Sequence, residues 1–371
     1  MTRPRKNRLL AAACAAGAMA ATLLTTVTPA QASQGPAVTA RDRAANAITA
    51  MMGFYNPGTS RFDPGPSWWL TGNSMQILLD YVQKTGQRQY LPFVEHMVAV
   101  LRAPVPWWPQ GGGDFRTDST DDTAWYGLAM VRLYQLTHDQ QYLTIAEEDE
   151  AYIGSYWDSR CGGGVIWDIP SDSYKNAISN ELYLELAASL HNVIPGDKHY
   201  LSDALREWNW FKNSGMINSG NLINDGLTDG CVNNGQTTWT YNQGVILGGL
   251  TQLYLATHDR SYLGTAQQIA DAVISSPLLS PGGILTEPCE ASGCGSDGPA
   301  FKGIFARNLA QLDAVLPGHP YQNWLAAQAD SAYSSDRNAS NQYGLHWAGP
   351  FDSADIGRQD SATSLLVAVL P

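Results

Sequence analysis

Two successive aspartates, Asp121 and Asp122, stand in the run GGGDFRTDSTDDTAWYGLAM, after a glycine-rich stretch and at the start of an apolar segment with helical spacing. Acids are favoured in the first turn of a helix by its free N–H groups, so capping accounts for one aspartate, with Ser119 or Thr120 as the cap. A second, adjacent acid, followed one turn later by Trp125 and Tyr126, points to paired-carboxylate chemistry. Cleavage of a glycosidic bond needs a carboxylate and a carboxylic acid, about 5–5.5 Å apart when the carboxylate attacks and about 6.5–9.5 Å apart when water does. Neighbours on one helix meet the shorter separation. Their repulsion would keep one charged and the other protonated near neutral pH.

Sugar sites also need flat apolar platforms and neutral hydrogen-bonding groups. Trp68, Trp69, Trp107, Trp108, Trp167, Trp239, Tyr241 and Trp347, with Asn176, Asn180, Asn242 and Asp225, gather in the segments that precede apolar helices. From these, Trp125, Tyr126, Asn180, Asp225, Tyr241, Asn242, Trp68 and Trp108 are the expected substrate-binding set. The GGG runs at 111–113 and 162–164 are not phosphate loops, since neither lies in a βαβ unit or is followed by G-K-S/T. His138, His199, His258 and His319 read as turn and capping residues, and no metal-binding pattern is present. No cofactor or metal is expected.

The elements that must hold these residues follow from a repeat. YVQKTGQRQYL, LYQLTHDQQYL, HNVIPGDKHYL, LYLATHDRSYL and VLPGHPYQNWL recur, with tyrosines 90, 142, 200, 262 and 321 separated by 52, 58, 62 and 59 residues. Each junction joins an apolar helical segment to an amphipathic one, so each is a helical hairpin. Five hairpins plus single helices near 41–54 and 361–370 give twelve helices. The expected fold is all-α: an (α/α)6 barrel of two concentric rings, with an open solenoid as the alternative. Segments near 68–84, 121–136, 177–192, 243–256, 303–316 and 361–370 should form the inner ring. The long connections all enter inner helices, which places the site at the inner helices' N-termini.

MTRPRKNR followed by LLAAACAAGAMAATLL and an Ala30-Gln31-Ala32 end reads as a secretory signal over residues 1–32, leaving one domain at 33–371. Without that leader, 18 basic face 34 acidic side chains, a net charge of −16. That charge argues against nucleic acid or an anionic membrane as partner. The expectation is a secreted monomer. Four cysteines remain, open to three pairings; the short 289–294 interval favours Cys289 with Cys294, and Cys161 with Cys231.

Several long stretches carry a resemblance over nearly the whole chain after the leader: DDTAWYGLAM at 121–130, CGGGVIW at 161–167, KNAISNELYLELAASL at 175–190, LINDGLTDGC at 222–231, TYNQGVILGGLTQLYLAT at 240–257 and FKGIFARNL at 301–309. The sequence resembles glycoside hydrolase family 76. The resemblance implies an (α/α)6 barrel and retaining endo-hydrolysis of α-1,6-linked mannan, with Asp121 as nucleophile and Asp122 as general acid and base. It also implies that Tyr241, Asn242, Asp225, Trp125 and Asn180 line the sugar subsites. A cell-wall transglycosylase of the same fold and a non-catalytic glycan-binding protein are the alternatives. A terpene cyclase is disfavoured, because D-S-T-D-D sets Asp118 one place too far away for a DxDD motif.

Overall fold

Each of the five junctions contains a left-handed residue: Gly86 (φ 72°), His138 (58°) and His258 (59°) cap their helices, and Gly196 (77°) and Gly318 (77°) lie in the turns just past the ends of theirs. As a cap, that conformation ends a helix while satisfying its last carbonyls. His138 and His258 thus act as the turn residues their positions imply, donating their N–H groups to the carbonyls of Tyr134 and Tyr254.

The computed structural model describes residues 38–62 and 67–371, and the leader expected at 1–32 lies outside them. Among the described residues there are twelve α-helices: α1 (Ala40–Met52), α2 (Trp68–Thr85), α3 (Leu91–Leu101), α4 (Thr120–Thr137), α5 (Gln140–Gly154), α6 (Ala177–Val193), α7 (His199–Phe211), α8 (Thr240–Thr257), α9 (Arg260–Ser275), α10 (Phe301–Val315), α11 (Gln322–Ser335) and α12 (Ile356–Ala368). Residues 38–371 form one unit. No described helix is long and apolar enough to cross a membrane.

The even-numbered helices pack one against the next, and α12 returns to α2, closing the ring; each odd-numbered helix packs on its outside. The chain is therefore an (α/α)6 barrel, not an open solenoid. Position in the ring explains composition. In α2 every residue from Trp68 to Val82 is buried, and in α6 every residue from Ala177 to Leu190, as expected of helices with neighbours on all sides. Outer helix α7 is two-faced, burying Trp208, Trp210 and Phe211 while Leu205 and Lys212 face solvent. Gly244 and Gly303 let the inner helices touch. A Cβ on Gly244 would lie 2.5 Å from the Cα of Phe305, and one on Gly303 would lie 2.4 Å from the Ser361 carbonyl.

Among the inner helices, the largest departure from the expected boundaries is at α12. Helix α12 begins at Ile356 rather than 361, because Asp355 caps it by accepting the Arg358 N–H. Gln359 and Asp360 disguise this first turn as polar, yet both are buried.

Gln359 belongs to a device repeated around the ring. The fourth residue of five inner helices accepts a backbone N–H from the loop leading into that helix: Thr71 from Phe62 at 3.1 Å, Thr123 from Thr117 at 3.1 Å, Asn180 from Val165 at 2.8 Å, Gln243 from Ile223 at 2.8 Å and Gln359 from Tyr343 at 3.1 Å. Three loops, those before α6, α8 and α10, are also pinned to the start of another inner helix. The Trp167 carbonyl accepts the Thr120 N–H at 3.1 Å, the Asp225 carbonyl accepts that of Ala177 at 2.7 Å, and the Glu287 carboxylate accepts that of Thr240 at 3.1 Å. These bonds satisfy helix N-terminal donors and lock the loops into a single rim. Disulfide Cys161–Cys231 ties the loop before α6 to the loop before α8, and Cys289–Cys294 closes a short turn before α10, as the cysteine spacing favours.

Several carboxyls are sealed in the helical layers. Asp149 of α5 is fully buried, neither of its oxygens has a protein hydrogen-bond partner, and burial pushes its carboxyl well above the usual range. Its folded-state value is raised, so its contribution to stability is complete below the unfolded value of about 4 and is lost as pH rises toward the folded value. Asp149→Asn, which keeps shape without charge, should therefore raise the melting temperature relative to the parent at about pH 8. The gain should grow by at most about 1.4 kcal/mol per pH unit within that window and vanish near pH 4, as read from thermal melts across pH.

Candidate active site

Asp121 and Asp122 lie in the first turn of α4, after the N-cap Ser119, whose side chain makes no capping bond. The acids themselves serve that end of the helix. Oδ1 of Asp121 accepts the Asp122 N–H at 3.0 Å, and Oδ2 accepts the indole N–H of Trp167 at 3.1 Å. Trp167 can reach because its loop is paired with the segment before α4, through an antiparallel bridge between Ser119 and Asp168 and the Thr120 bond to the Trp167 carbonyl. Both oxygens of Asp121 are thus oriented by N–H donors from separate elements.

The pair opens into a cleft of about 360 Å³, within the usual range for ligand pockets. One wall is aromatic. Trp125 stacks on Trp69 at 5.8 Å, Trp69 meets Phe301 at 6.1 Å, and Phe301 stacks on Tyr241 at 3.8 Å. Trp167, Tyr174, Asn176 and Asp225 also line the cleft, and the Tyr174 hydroxyl donates to the Asp225 carboxylate. Asp297 lies at the cleft too, accepting from Ser67 Oγ at 2.8 Å and from Trp69 Nε1 at 2.9 Å. Among the described residues, four carboxylates line the cleft and no lysine or arginine does.

This setting decides the electrostatics. Burial is the largest influence on Asp121; hydrogen bonds from backbone N–H groups and the Trp167 indole oppose it, and the charge of Asp297 adds to it, leaving the Asp121 carboxyl at about 7. Burial likewise pushes the Tyr241 phenol well above its ordinary value, reinforced by Asp121 and Asp225, so Tyr241 stays a neutral hydrogen-bond donor. One carboxylate and one acid can coexist in the pair near neutrality, which is the division that glycosidic cleavage requires.

Of the residues singled out from sequence, Asp121, Asp122, Trp125, Asp225 and Tyr241 of the expected site, with Trp69, Trp167 and Asn176 of the wider group, come together at the cleft. The remaining members of the expected substrate-binding set lie elsewhere, each for a visible reason. Tyr126 is fully buried, stacked on Phe115 at 4.4 Å, with its hydroxyl donating to the Trp68 carbonyl. Trp68 packs between Tyr126 and Trp107. Trp108 donates to the Tyr152 hydroxyl at 2.9 Å, which in turn donates to the Thr117 carbonyl, bracing the loop before α4. Asn180 is the α6 loop clamp, bonded to both N–H and carbonyl of Val165. Asn242 is fully buried, with neither amide atom paired to a protein group.

Sequence reading missed Asp297, Phe301, Tyr174 and Ser67 as cleft residues. For Asp297 a signal existed: it is an acid just ahead of an inner helix, in GCGSDGPAF, at the same end of the barrel as Asp121. Away from the cleft, Glu150, His199 and Asp203 bring metal-capable atoms within 4.8 Å of one another, but Arg206 already meets Asp203 at 3.0 Å.

A closed ring of paired helices with an aromatic-walled, carboxylate-bearing cleft at the inner helix N-termini defines an (α/α)6-barrel glycoside hydrolase. The chain belongs to Glycosyl hydrolase family 76, whose profile matches residues 39–370. Among its relatives is a mannan endo-1,6-alpha-mannosidase of Saccharomyces cerevisiae, 25% identical over 339 residues covering 84% of this chain and 74% of the relative. Among solved structures, the alpha-1,6-mannanase of Salegentibacter sp. HEL1_6 superposes with a TM-score of 0.80 at 25% identity, covering 89% of this chain and 99% of that one. An inactive variant of that mannanase, with two successive aspartates changed to alanine and alpha-1,6-mannotetrose bound, superposes with a TM-score of 0.79 at 24% identity, covering 90% and 99%.

The pair should give a bell-shaped pH profile of kcat/KM. Above about pH 7 its last proton is lost and no acid remains, so the rate falls as pH rises; at low pH both groups are protonated and no nucleophile remains. Trp167→Phe removes a donor to the carboxylate and should move the alkaline limb upward while slowing turnover about tenfold or more, as read from the same profiles.

Proposed function

We propose that this chain is a secreted endo-hydrolase that cleaves α-1,6-mannosidic bonds in mannan backbones with retention of anomeric configuration. The observation that carries the reading is the aspartate pair on one helix turn at the mouth of an aromatic-walled cleft. Asp121, held at both oxygens by N–H donors, is the nucleophile. It attacks the anomeric carbon as Asp122 protonates the departing glycosidic oxygen, giving a mannosyl ester on Asp121. Asp122, now a carboxylate, takes a proton from water; that water attacks the anomeric carbon, the ester bond breaks, and Asp121 regains its charge.

The N–H donors support this assignment, since the Asp122 amide and the Trp167 indole favour the charged form of Asp121 against the burial that raises its proton affinity. A carboxylate stripped of water gains more from approaching a sugar ring that is becoming positive, and the ring supplies the counter-charge the cleft lacks. Trp69, Trp125 and Tyr241 offer apolar faces, and Asp225 and the Tyr241 hydroxyl offer polar contacts for sugar hydroxyls. The similarity to mannan endo-1,6-alpha-mannosidases supports the linkage, and the resemblance of residues 1–32 to a secretory leader, with two disulfides in the barrel, supports export. The net charge of −16 after that leader supports a neutral glycan partner rather than nucleic acid or membrane. One chain supplies both carboxylates and the cleft walls, which supports reading the barrel as a working monomer.

Incubation with debranched α-1,6-mannan should release short α-1,6 oligomers, while α-1,2- and α-1,3-linked mannans stay intact; the reverse preference would overturn the linkage. Asp121→Asn should remain folded and lose activity by several orders of magnitude, and Asp122→Asn should lose roughly 10²–10⁴-fold, less with an activated leaving group that needs no proton. Unimpaired activity in either variant would remove that residue from the mechanism.

A further inference from the structure

Asp297 reaches the cleft from the loop before α10 and spends one oxygen, Oδ1, on two donors at the start of α2: Ser67 Oγ at 2.8 Å and Trp69 Nε1 at 2.9 Å. The bond to Trp69 orients an indole that stacks on Trp125, which stands one helical turn beyond Asp121, and that also meets Phe301 at 6.1 Å. Asp297 therefore joins three inner helices, α2, α4 and α10, through a single aromatic wall. Both donors are neutral groups, and no lysine or arginine lines the cleft among the described residues.

We infer that Asp297 is a positioning residue for the reaction, fixing the Trp69–Trp125 wall through its hydrogen bonds and placing a further carboxylate in the cleft of the Asp121–Asp122 pair. The inference rests on the reading that this pair reacts. The groups facing Asp121 are Asp122 on its own helix, the Trp167 indole and Tyr174 from the loop before α6, Asp225 from the loop before α8, Tyr241 of α8 and Asp297 itself. Of these, the Asp297 carboxylate raises the proton affinity of Asp121 by repulsion across the cleft they share. A fixed charge at this place does two things. In the resting site it makes the pair's last proton harder to lose, so an acid is still available at higher pH. During bond cleavage it lowers the energy of a ring that is becoming positive, without bonding to it.

The test compares pH profiles of kcat/KM for the parent, Asp297→Asn, Asp297→Ala and Trp69→Phe on an α-1,6-mannan oligosaccharide, with near-ultraviolet circular dichroism reporting the aromatic wall. Asp297→Asn keeps an oxygen to accept from Ser67 and Trp69 and loses only the charge. Its alkaline limb should fall by ~0.5 pH unit, roughly a threefold change in proton affinity, with the aromatic spectrum preserved. Asp297→Ala should show the same downward limb and, in addition, a raised KM and an altered aromatic spectrum. Trp69→Phe keeps the charge and should raise KM with the limb unmoved. An Asp297→Asn limb that superposes on the parent's overturns the electrostatic role, and an Asp297→Ala KM equal to the parent's overturns the wall-positioning role. A parent with no alkaline limb, or no activity on the oligosaccharide, sinks instead the reading of the aspartate pair on which this inference rests.

Discussion

Two like charges one residue apart, in a cleft walled by indole and phenol rings, cannot both be ionised cheaply. Everything else in the molecule is arranged around that constraint. The helix N-terminus and two N–H donors favour charge on Asp121, whereas desolvation and the neighbouring acids oppose it, and the balance near 7 falls where a shared proton is useful. A wetter cleft would leave both groups ionised and supply no acid. A cation beside the pair would fix the charges and remove the gain from an approaching positive ring.

The barrel supplies the precision this balance needs. Ring closure sets the inner helix N-termini around one opening, and the repeated clamp at the fourth helix residue, together with the pinning of three loops to another helix, turns long irregular connections into a rigid rim. Trp167 shows the result: it belongs to the loop before α6 yet bonds a carboxylate of α4. Long connections normally carry mobility, but here their backbone groups are spent on neighbouring helices, so side chains at their tips hold position. The Cys161–Cys231 bridge adds a covalent tie between two of these loops.

Much of this was legible in the chain itself. The tyrosine-marked junctions disclose the hairpins because a helix reversal needs a left-handed residue and a stop, which are local requirements. The aspartate pair stands out because adjacent acids exceed what capping requires. What stayed hidden depended on contacts distant in sequence. Asn180 reads as a sugar ligand from composition, but only the fold shows its amide spent on Val165, and Tyr126 and Trp68 read as platforms although they pack beneath the rim. Asp297 sits 176 residues after Asp121 and meets the site only when the ring closes. The first turn of α12 was masked for a related reason, since Gln359, a buried polar residue there, bonds to Tyr343 of the helix's own entry loop and to Ala47 of α1, far away in sequence.

The claim beneath all of this is that Asp121 attacks the sugar while its neighbour handles the proton. Trapping the intermediate with a slowly turned-over activated mannosyl fluoride, followed by peptide mass mapping, tests it directly. The account predicts one mannosyl adduct per chain, carried as an ester on Asp121 and absent from Asp121→Asn. An adduct on Asp122, or release of product with inverted anomeric configuration and no adduct at all, would contradict it.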